Sequence, residues 1–260
     1  MGVLHRLKRK RHIQSDVPRM FASHFGSGRI LDLPAGTGVN ARSLAAAGFD
    51  VVAGDLFPEH CRGEGYAVRK VDLTKPLPFE DTSFEGILFS EGIEHLDAQV
   101  AVLREMARIL KPGGVLIVTT PNLLNLEARL CMMLTGHARR NRALVVSTAQ
   151  YRQGTKPEKS SVDEEVYFGH VFLINAFQLR FYLEHVGLEV VGVDTVRYSR
   201  NALLAAPFLY PLVWLATVKE LRRKTSRLSK EQQRSYREQI LSGAVLFGRK
   251  LIMMARKPGA

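Results

Sequence analysis

At 260 residues the chain is long enough for one domain of ordinary size with insertions, and a hydrophobic content of 46% excludes wholesale disorder. Its two cysteines, Cys61 and Cys131, fit neither a metal-ligand spacing nor a disulfide framework, so no metal site is expected and a reducing compartment is the default. The net charge of +12 gathers in Arg6–Arg11, Arg139–Lys159 and Lys219–Arg237, and such clusters read as a surface for nucleic acid or anionic lipid, with a solvated face that has no partner as the alternative.

Met1–His12 is basic with no apolar run after it, which predicts a chain kept in the cytoplasm with residues 1–25 as a basic N-terminal segment. Ile30, Leu31 and Leu33 predict a short strand that Pro34–Gly38 cannot continue. Gly36 and Gly38 lack a Cβ, so the chain can turn sharply and a ligand can come close to backbone. Val39–Ala47 predicts a helix whose first N–H groups face whatever lies over those glycines. Phe49–Ala53 predicts the next strand, with Asp55 just past its C-terminal end, where a carboxylate can accept both ribose hydroxyls of a nucleoside. Gly36-Thr37-Gly38-Val39-Asn40-Ala41 also fits the dinucleotide fingerprint, with Asp55 at the expected spacing of about 20 residues. Asp32 argues against a dinucleotide, because a carboxylate four residues before Gly36 repels pyrophosphate and suits a cationic ligand.

Further along, Val100, Leu103, Ala107 and Leu110 predict a helix over 98–110, with Asp97 as its cap. Val115–Thr119 predicts a strand behind the glycine turn at 113–114. Asn175 and Gly187 bracket a helix from Ala176, and Leu188–Val196 and Lys250–Ala255 predict strands. Alternating strands and helices imply a parallel sheet covered on both faces. Two long segments interrupt the alternation. Residues 123–169 follow the fifth strand, start as an amphipathic helix over 123–134, and suit a lid or substrate loop. Residues 199–248 separate the last two strands. Asn201–Val218 carries no charge and would span roughly 27 Å as a straight helix, though Pro207 and Pro211 make a simple spanning helix unexpected. A polybasic run follows at once, so residues 201–230 read as an apolar and basic element lying on an anionic membrane; packing on the domain or on a second copy is the alternative.

Asp32-x-x-x-Gly36-x-Gly38, with Asp55 ending the next strand, resembles class I S-adenosylmethionine-dependent methyltransferases. The resemblance continues through Val71-Asp72-Leu73, Pro76–Gly86, Ser90–Leu96 and Lys111–Gly114, spanning roughly residues 29–122, with weaker matches at 170–196 and 249–258. One departure is Leu33-Pro34-Ala35, where many relatives carry small residues. The family implies an α/β Rossmann-like sheet of seven mostly parallel strands with helices on both faces, its last strand antiparallel between its neighbours. In this chain the core would be 26–198 and 249–258, with helical insertions after strand 5 (the lid, 123–169) and before the last strand (199–248). The implied cofactor is S-adenosylmethionine, held by Asp32, Gly36, Gly38, Asp55, Leu56, Asp72, Leu73 and Ser90, with Asp55 on the ribose, Asp72 on the adenine amino group and Asp32 near the methionine ammonium.

Little covalent catalysis is needed on a sulfonium-borne methyl group, so the enzyme's work is alignment and exclusion of water. A hydroxyl acceptor must lose a proton, for which His95, His170 and Glu91 are the candidate catalytic groups. The expected activity is methyl transfer, to oxygen, on a small-molecule or lipid-linked acceptor such as a glycolipid or quinone-like lipid, by an enzyme peripheral to the inner face of the cell membrane. An RNA methyltransferase is the alternative, suggested by charge, although no RNA-binding module and no Asn/Asp-Pro-Pro-Tyr tetrapeptide is seen. A cofactor-binding scaffold without turnover is a further one.

Overall fold

The computed structural model describes residues 13–136, 172–222 and 229–259. The basic runs Arg6–Arg11 and Arg139–Lys159, most of the lid segment and His170 lie outside them. Among the described residues the strands are β1 (Arg29–Asp32), β2 (Asp50–Asp55), β3 (Ala67–Lys70), β4 (Phe84–Ser90), β5 (Leu110–Pro121), β6 (Glu189–Asp194) and β7 (Lys250–Arg256). They form one sheet in the order β3-β2-β1-β4-β5-β7-β6, parallel except for β7, which pairs antiparallel with both β5 and β6. This is the Rossmann-like arrangement that the sequence implies.

Alternation along the strands decides which side of the sheet each residue covers. Leu31, Ile87, Phe89, Leu116 and Val118 face one side, under α3 (Gln99–Ile109) and α5 (Ala176–His185), which contribute Leu103, Met106, Leu179 and Leu183. Ile30, Leu88, Val115 and Ile117 face the other, under α1 (Ile13–Ala22) and α2 (Val39–Ala46), which contribute Val17, Phe21, Ala41 and Leu44. Both faces are buried, which is why the central strands read as unbroken apolar runs. Val17 and Phe21 are fully buried, so the segment expected as a basic extension supplies part of the core. Gly86 makes room for it, because a Cβ there would lie 2.7 Å from Phe21 and 2.9 Å from Phe25.

Several expectations need correction. Asp97 does not cap α3; the N-cap is Ala98, and the Asp97 carboxylate accepts the Ala98 N–H at 2.6 Å instead. Lys111–Gly114 does not end before a strand but bulges out of β5, since Leu110 pairs with Phe84 and the next partner of β4 is Val115, opposite Gly86. That bulge is closed by the far end of β7, with Gly113 N–H on Lys257 O and Lys257 N–H on Gly114 O, both 2.9 Å. Asp55 ends β2, as the resemblance implies and one step earlier than the strand periodicity alone places it, and Asp72 lies two residues beyond β3. Asn175 caps α5 as expected, in a capping box with Gln178.

Residues 126–135 form α4 (Leu126–Thr135), and the second interruption holds α6 (Arg200–Arg222), α7 (Lys230–Ile240) and α8 (Gly243–Phe247). Pro207 and Pro211 do not break α6. Both lie on its exposed side, where a carbonyl left without an amide partner is open to solvent. Ala202, Ala205, Ala206, Leu209 and Val213 pack with Leu126 of α4 and Leu246 of α8. Asn122, just past β5, ties this layer to the sheet: its amide nitrogen donates to Val245 O and Gly248 O at 2.9 Å and to Ala244 O at 3.1 Å. Asn122→Ala removes all three bonds, leaving Gly248 O to Asn125 and Ala244 O to the Gly248 N–H, and is expected to cost about 2 kcal/mol in chemical denaturation. The same variant should be nicked faster by protease within 199–248 than within the sheet.

Candidate active site

Strand order reverses between β1 and β4, so the loops leaving these strands diverge and open a crevice at their C-terminal ends. A pocket of about 560 Å³ occupies it. Gly36, Asp55, Leu56, Asp72, Leu73, Ser90, Glu91 and His95 all line it. Asp32 and Gly38 stand behind that lining, and His170 lies outside the described residues.

The turn after β1 is built around its glycines. Gly36 has φ 54° and Gly38 φ 76°, a left-handed backbone that L side chains rarely adopt. At Gly36 nothing lies within 4 Å of a built Cβ, so its missing side chain leaves space on the pocket side. At Gly38 a Cβ would overlap the Tyr66 hydroxyl and come within 2.9 Å of Cys61 Sγ. The Leu33–Pro34 peptide in this turn is cis.

Asp55 holds the turn against β2. One carboxylate oxygen accepts the Gly36 N–H at 2.7 Å and the other the Phe57 N–H at 3.0 Å. A carboxylate oxygen has more than one lone pair, so each can accept a further hydroxyl from the pocket. Asp72 is engaged differently. Its Oδ1 accepts the Thr74 amide at 2.9 Å and the Thr74 hydroxyl at 2.7 Å, while Lys75 lies 3.2 Å from Oδ2. Burial alone would raise this carboxyl, but Thr74 and Lys75 outweigh it and hold it below its usual range.

Asp32 is fully buried at the end of β1, and neither of its oxygens has a hydrogen-bond partner. Burial pushes its carboxyl up to about 8, opposed by the nearby Ala41 amide and Asn40 side chain and reinforced by Asp55. Asn40 Oδ1 is likewise buried and unpartnered. Orphaned acceptors under the glycine turn suit a cationic or hydrogen-bond-donating ligand above them and disfavour an anion.

The opposite wall comes from the loop after β4. Glu91 adopts φ 55° and its carboxylate is held by the Lys250 ammonium at 3.0 Å and the Thr119 hydroxyl at 3.2 Å, which is also 3.1 Å from Ser90 Oγ. His95 ends the short 3₁₀ turn Ile93–His95. Behind them Glu94 is buried, accepts the Thr120 hydroxyl at 3.1 Å, and is raised to about 7 by burial first and by Glu91 second. Phe57, His60, Thr37, Asn40 and Gln14 also line the pocket. Sequence reasoning did not single them out, and only their nearness to Gly36 and Asp55 could have flagged them.

Fold and site together define a class I methyltransferase. The sequence pattern of a methyltransferase-domain family matches residues 5–193, and the chain belongs to that family. It carries a methyltransferase domain. A S-adenosylmethionine-dependent methyltransferase from Archaeoglobus fulgidus superposes with a TM-score of 0.54 at 18% identity, covering 94% of this chain and 93% of that one. The [4+2]-cyclase SpnF superposes at 0.51 and 18% identity, covering 95% and 81%, so the shared fold alone does not name a reaction. In sequence the chain is 42% identical over 96 residues to a demethylmenaquinone methyltransferase of Beutenbergia cavernae, and 42% over 95 residues to that of Mycobacterium tuberculosis. These matches cover 35% of this chain, and the chain spans about two-fifths of the length of each relative, 39%.

Two outcomes test the pocket itself. Because the folded carboxyl of Asp32 titrates near 8 against 3.8 when free, the ligand-free protein should lose stability as pH rises across that window. Asp32→Asn removes the loss: its melting temperature should match wild type below the window and exceed it by roughly 10 °C above it. Gly36→Ala should cost about 1 kcal/mol in stability. Its larger effect should be on ligand affinity, measured by calorimetry, because the added methyl enters the pocket.

Proposed function

We propose that this chain transfers a methyl group from S-adenosylmethionine to a small lipid-linked, quinone-like acceptor at the cytoplasmic face of a membrane. The observation that carries this reading is the single crevice bringing Gly36, Asp55 and Asp72 to one side and Ser90, Glu91 and His95 to the other. S-adenosylmethionine supplies a methyl group on a sulfonium, an electrophile that needs no covalent help from the protein.

On the donor side, Asp55 accepts the ribose hydroxyls with the lone pairs left over from Gly36 and Phe57. Leu56 and Leu73 flank the base, and Asp72, beside Thr74, meets its amino group. The Gly36–Gly38 backbone lies along the methionine portion. Asp32, beneath the turn, supplies the negative field that a methionine ammonium favours, and ionises when that cation neutralises it.

On the acceptor side, a nucleophilic oxygen, or the ring carbon of a quinol, must shed a proton as it takes the methyl group. His95 faces the pocket with the side chain best suited to accept a proton near neutral pH. Glu91, fixed by Lys250 and Thr119, orients the acceptor. Two features support a lipid-linked acceptor. The relatives of highest identity named above are demethylmenaquinone methyltransferases, over the shared 35% of the chain. In addition, the 199–248 insertion exposes an apolar helix, α6, which is long and apolar enough to cross a membrane and is mostly unburied.

Titration calorimetry with S-adenosylmethionine and NAD, followed by transfer of labelled methyl to a bacterial lipid extract, tests the reading. Wild type should bind S-adenosylmethionine and not NAD, and Asp55→Ala should weaken binding roughly 100-fold through loss of two charge-assisted hydrogen bonds. His95→Ala should lower kcat about 100-fold or more while S-adenosylmethionine affinity stays within about twofold. Label recovered in RNA rather than in lipid would overturn the acceptor assignment, and NAD binding would overturn the donor.

A further inference from the structure

A second pocket, of about 360 Å³, lies between α6 and α7, away from the crevice. Its cationic wall is Arg222 at the end of α6 together with Lys230, Arg234 and Arg237 of α7. The last three recur at i, i+4 and i+7, so one face of α7 presents them together. Arg234 is partly neutralised by Glu238, 2.9 Å away. Arg222, Lys230 and Arg237 pair with no carboxylate among the described residues. The floor is apolar, with Trp214, Val218 and Leu221 at the matching spacing along α6. A cavity with excess cations over an aromatic floor selects an anion attached to something apolar, which describes the phosphate of a lipid headgroup.

The surroundings favour a lipid over other phosphates. Beside the pocket, α6 leaves Leu204, Phe208, Leu212 and Leu215 exposed by 75%, 76%, 65% and 61%. These positions again fall on one helical face, while the opposite face of α6 is the one packed on α4 and α8. Large apolar side chains in that number add nothing to binding a free phosphate or an RNA backbone. They gain free energy on entering the boundary between headgroups and acyl chains.

We propose that the pocket between α6 and α7 is a binding site for the phosphate of an anionic phospholipid, and that it seats the exposed face of α6 in a membrane surface. The inference deepens the lipid-linked reading of the acceptor and rests on it. Charge at the pocket fixes the depth and direction of α6, so that an acceptor is drawn from the bilayer by a protein held in one orientation.

The test is flotation of the full chain with phosphatidylcholine vesicles, with and without phosphatidylglycerol. The Arg222→Gln/Arg237→Gln pair is compared with Arg200→Gln/Lys219→Gln, which removes the same charge from the same helical layer outside the pocket. Wild type should float with phosphatidylglycerol vesicles and much less with phosphatidylcholine alone. Each pocket arginine forfeits a charge-assisted hydrogen bond to phosphate in addition to its diffuse attraction, so the pocket pair should lose roughly 100-fold or more in partitioning. The control pair should lose only a few-fold. Equal losses from both pairs would mean diffuse attraction and would overturn the site. Tight binding of inorganic phosphate, or salt-dependent binding of oligouridylate, without vesicle binding would overturn the lipid in favour of a free phosphate or RNA. S-adenosylmethionine titration on the same three proteins separates the two readings. Failure to bind it in wild type defeats the catalytic proposal, whereas normal binding with no flotation defeats only this one.

Discussion

The carboxylate of Asp55 is the joint on which the crevice depends. One side chain at the end of β2 accepts two backbone amides, Gly36 from the turn after β1 and Phe57 from the turn after β2. Two loops that would otherwise fan apart are thereby held at one acceptor, with the spare lone pairs directed into the space between them. The Gly36 backbone can reach the carboxylate because its φ of 54° is strained for any residue with a Cβ. Asp55 and Gly36 are therefore one device: changing either alters both the loop and the ligand surface.

Buried carboxylate charge is the second constraint. Asp32 at the end of β1 and Glu94 behind the loop after β4 both lie inside the protein, and in both burial is the largest influence on the carboxyl. The two are handled differently. Glu94 has the Thr120 hydroxyl and sits near the Glu91–Lys250 pair, so its charge is shared within a polar layer between β4, β5 and β7. Asp32 has only the nearby Ala41 amide and Asn40 side chain to offset its burial, and its position under the glycine turn makes it sensitive to the charge of whatever binds above. An uncompensated buried carboxyl is costly to a ligand-free protein. It becomes useful when the ligand is a cation, because binding then restores the charge that folding suppressed.

Much of this site is legible in the sequence because its pieces are local. Gly36, Gly38 and Asp55 lie within one strand-turn-helix-strand unit, where residue spacing alone positions them. The capping of α5 by Asn175 is likewise a matter of four consecutive residues. Long-range partners leave no such trace. The hold of Lys250 on Glu91 joins residues far apart in the chain, and so do the closure of the 111–114 bulge by Lys257 and the grip of Asn122 on α8. Asp97 misled for a related reason: a side chain that suits an N-cap can instead bond the very next amide. The prolines of α6 misled because their cost depends on whether the freed carbonyls meet solvent, and exposure is a property of the fold.

The placement of the 199–248 insertion gives the two pockets a common frame. It leaves the sheet after β6 and returns to it at β7, and Lys250, the first residue of β7, holds Glu91, which lines the crevice. Asn122 and Asn125, just past β5, both donate to Gly248 O, the residue at which the insertion ends. The segment that carries the exposed apolar face is thus fastened, within a few residues, to the strands beside the Glu91 wall of the crevice. A displacement of α6 by a membrane would be felt first at Gly248 and Lys250, and through Lys250 at Glu91. Any coupling between the proposed surface seating and the proposed orientation of an acceptor would need no separate transmitting element, since the hydrogen bonds that close the sheet already join the two segments.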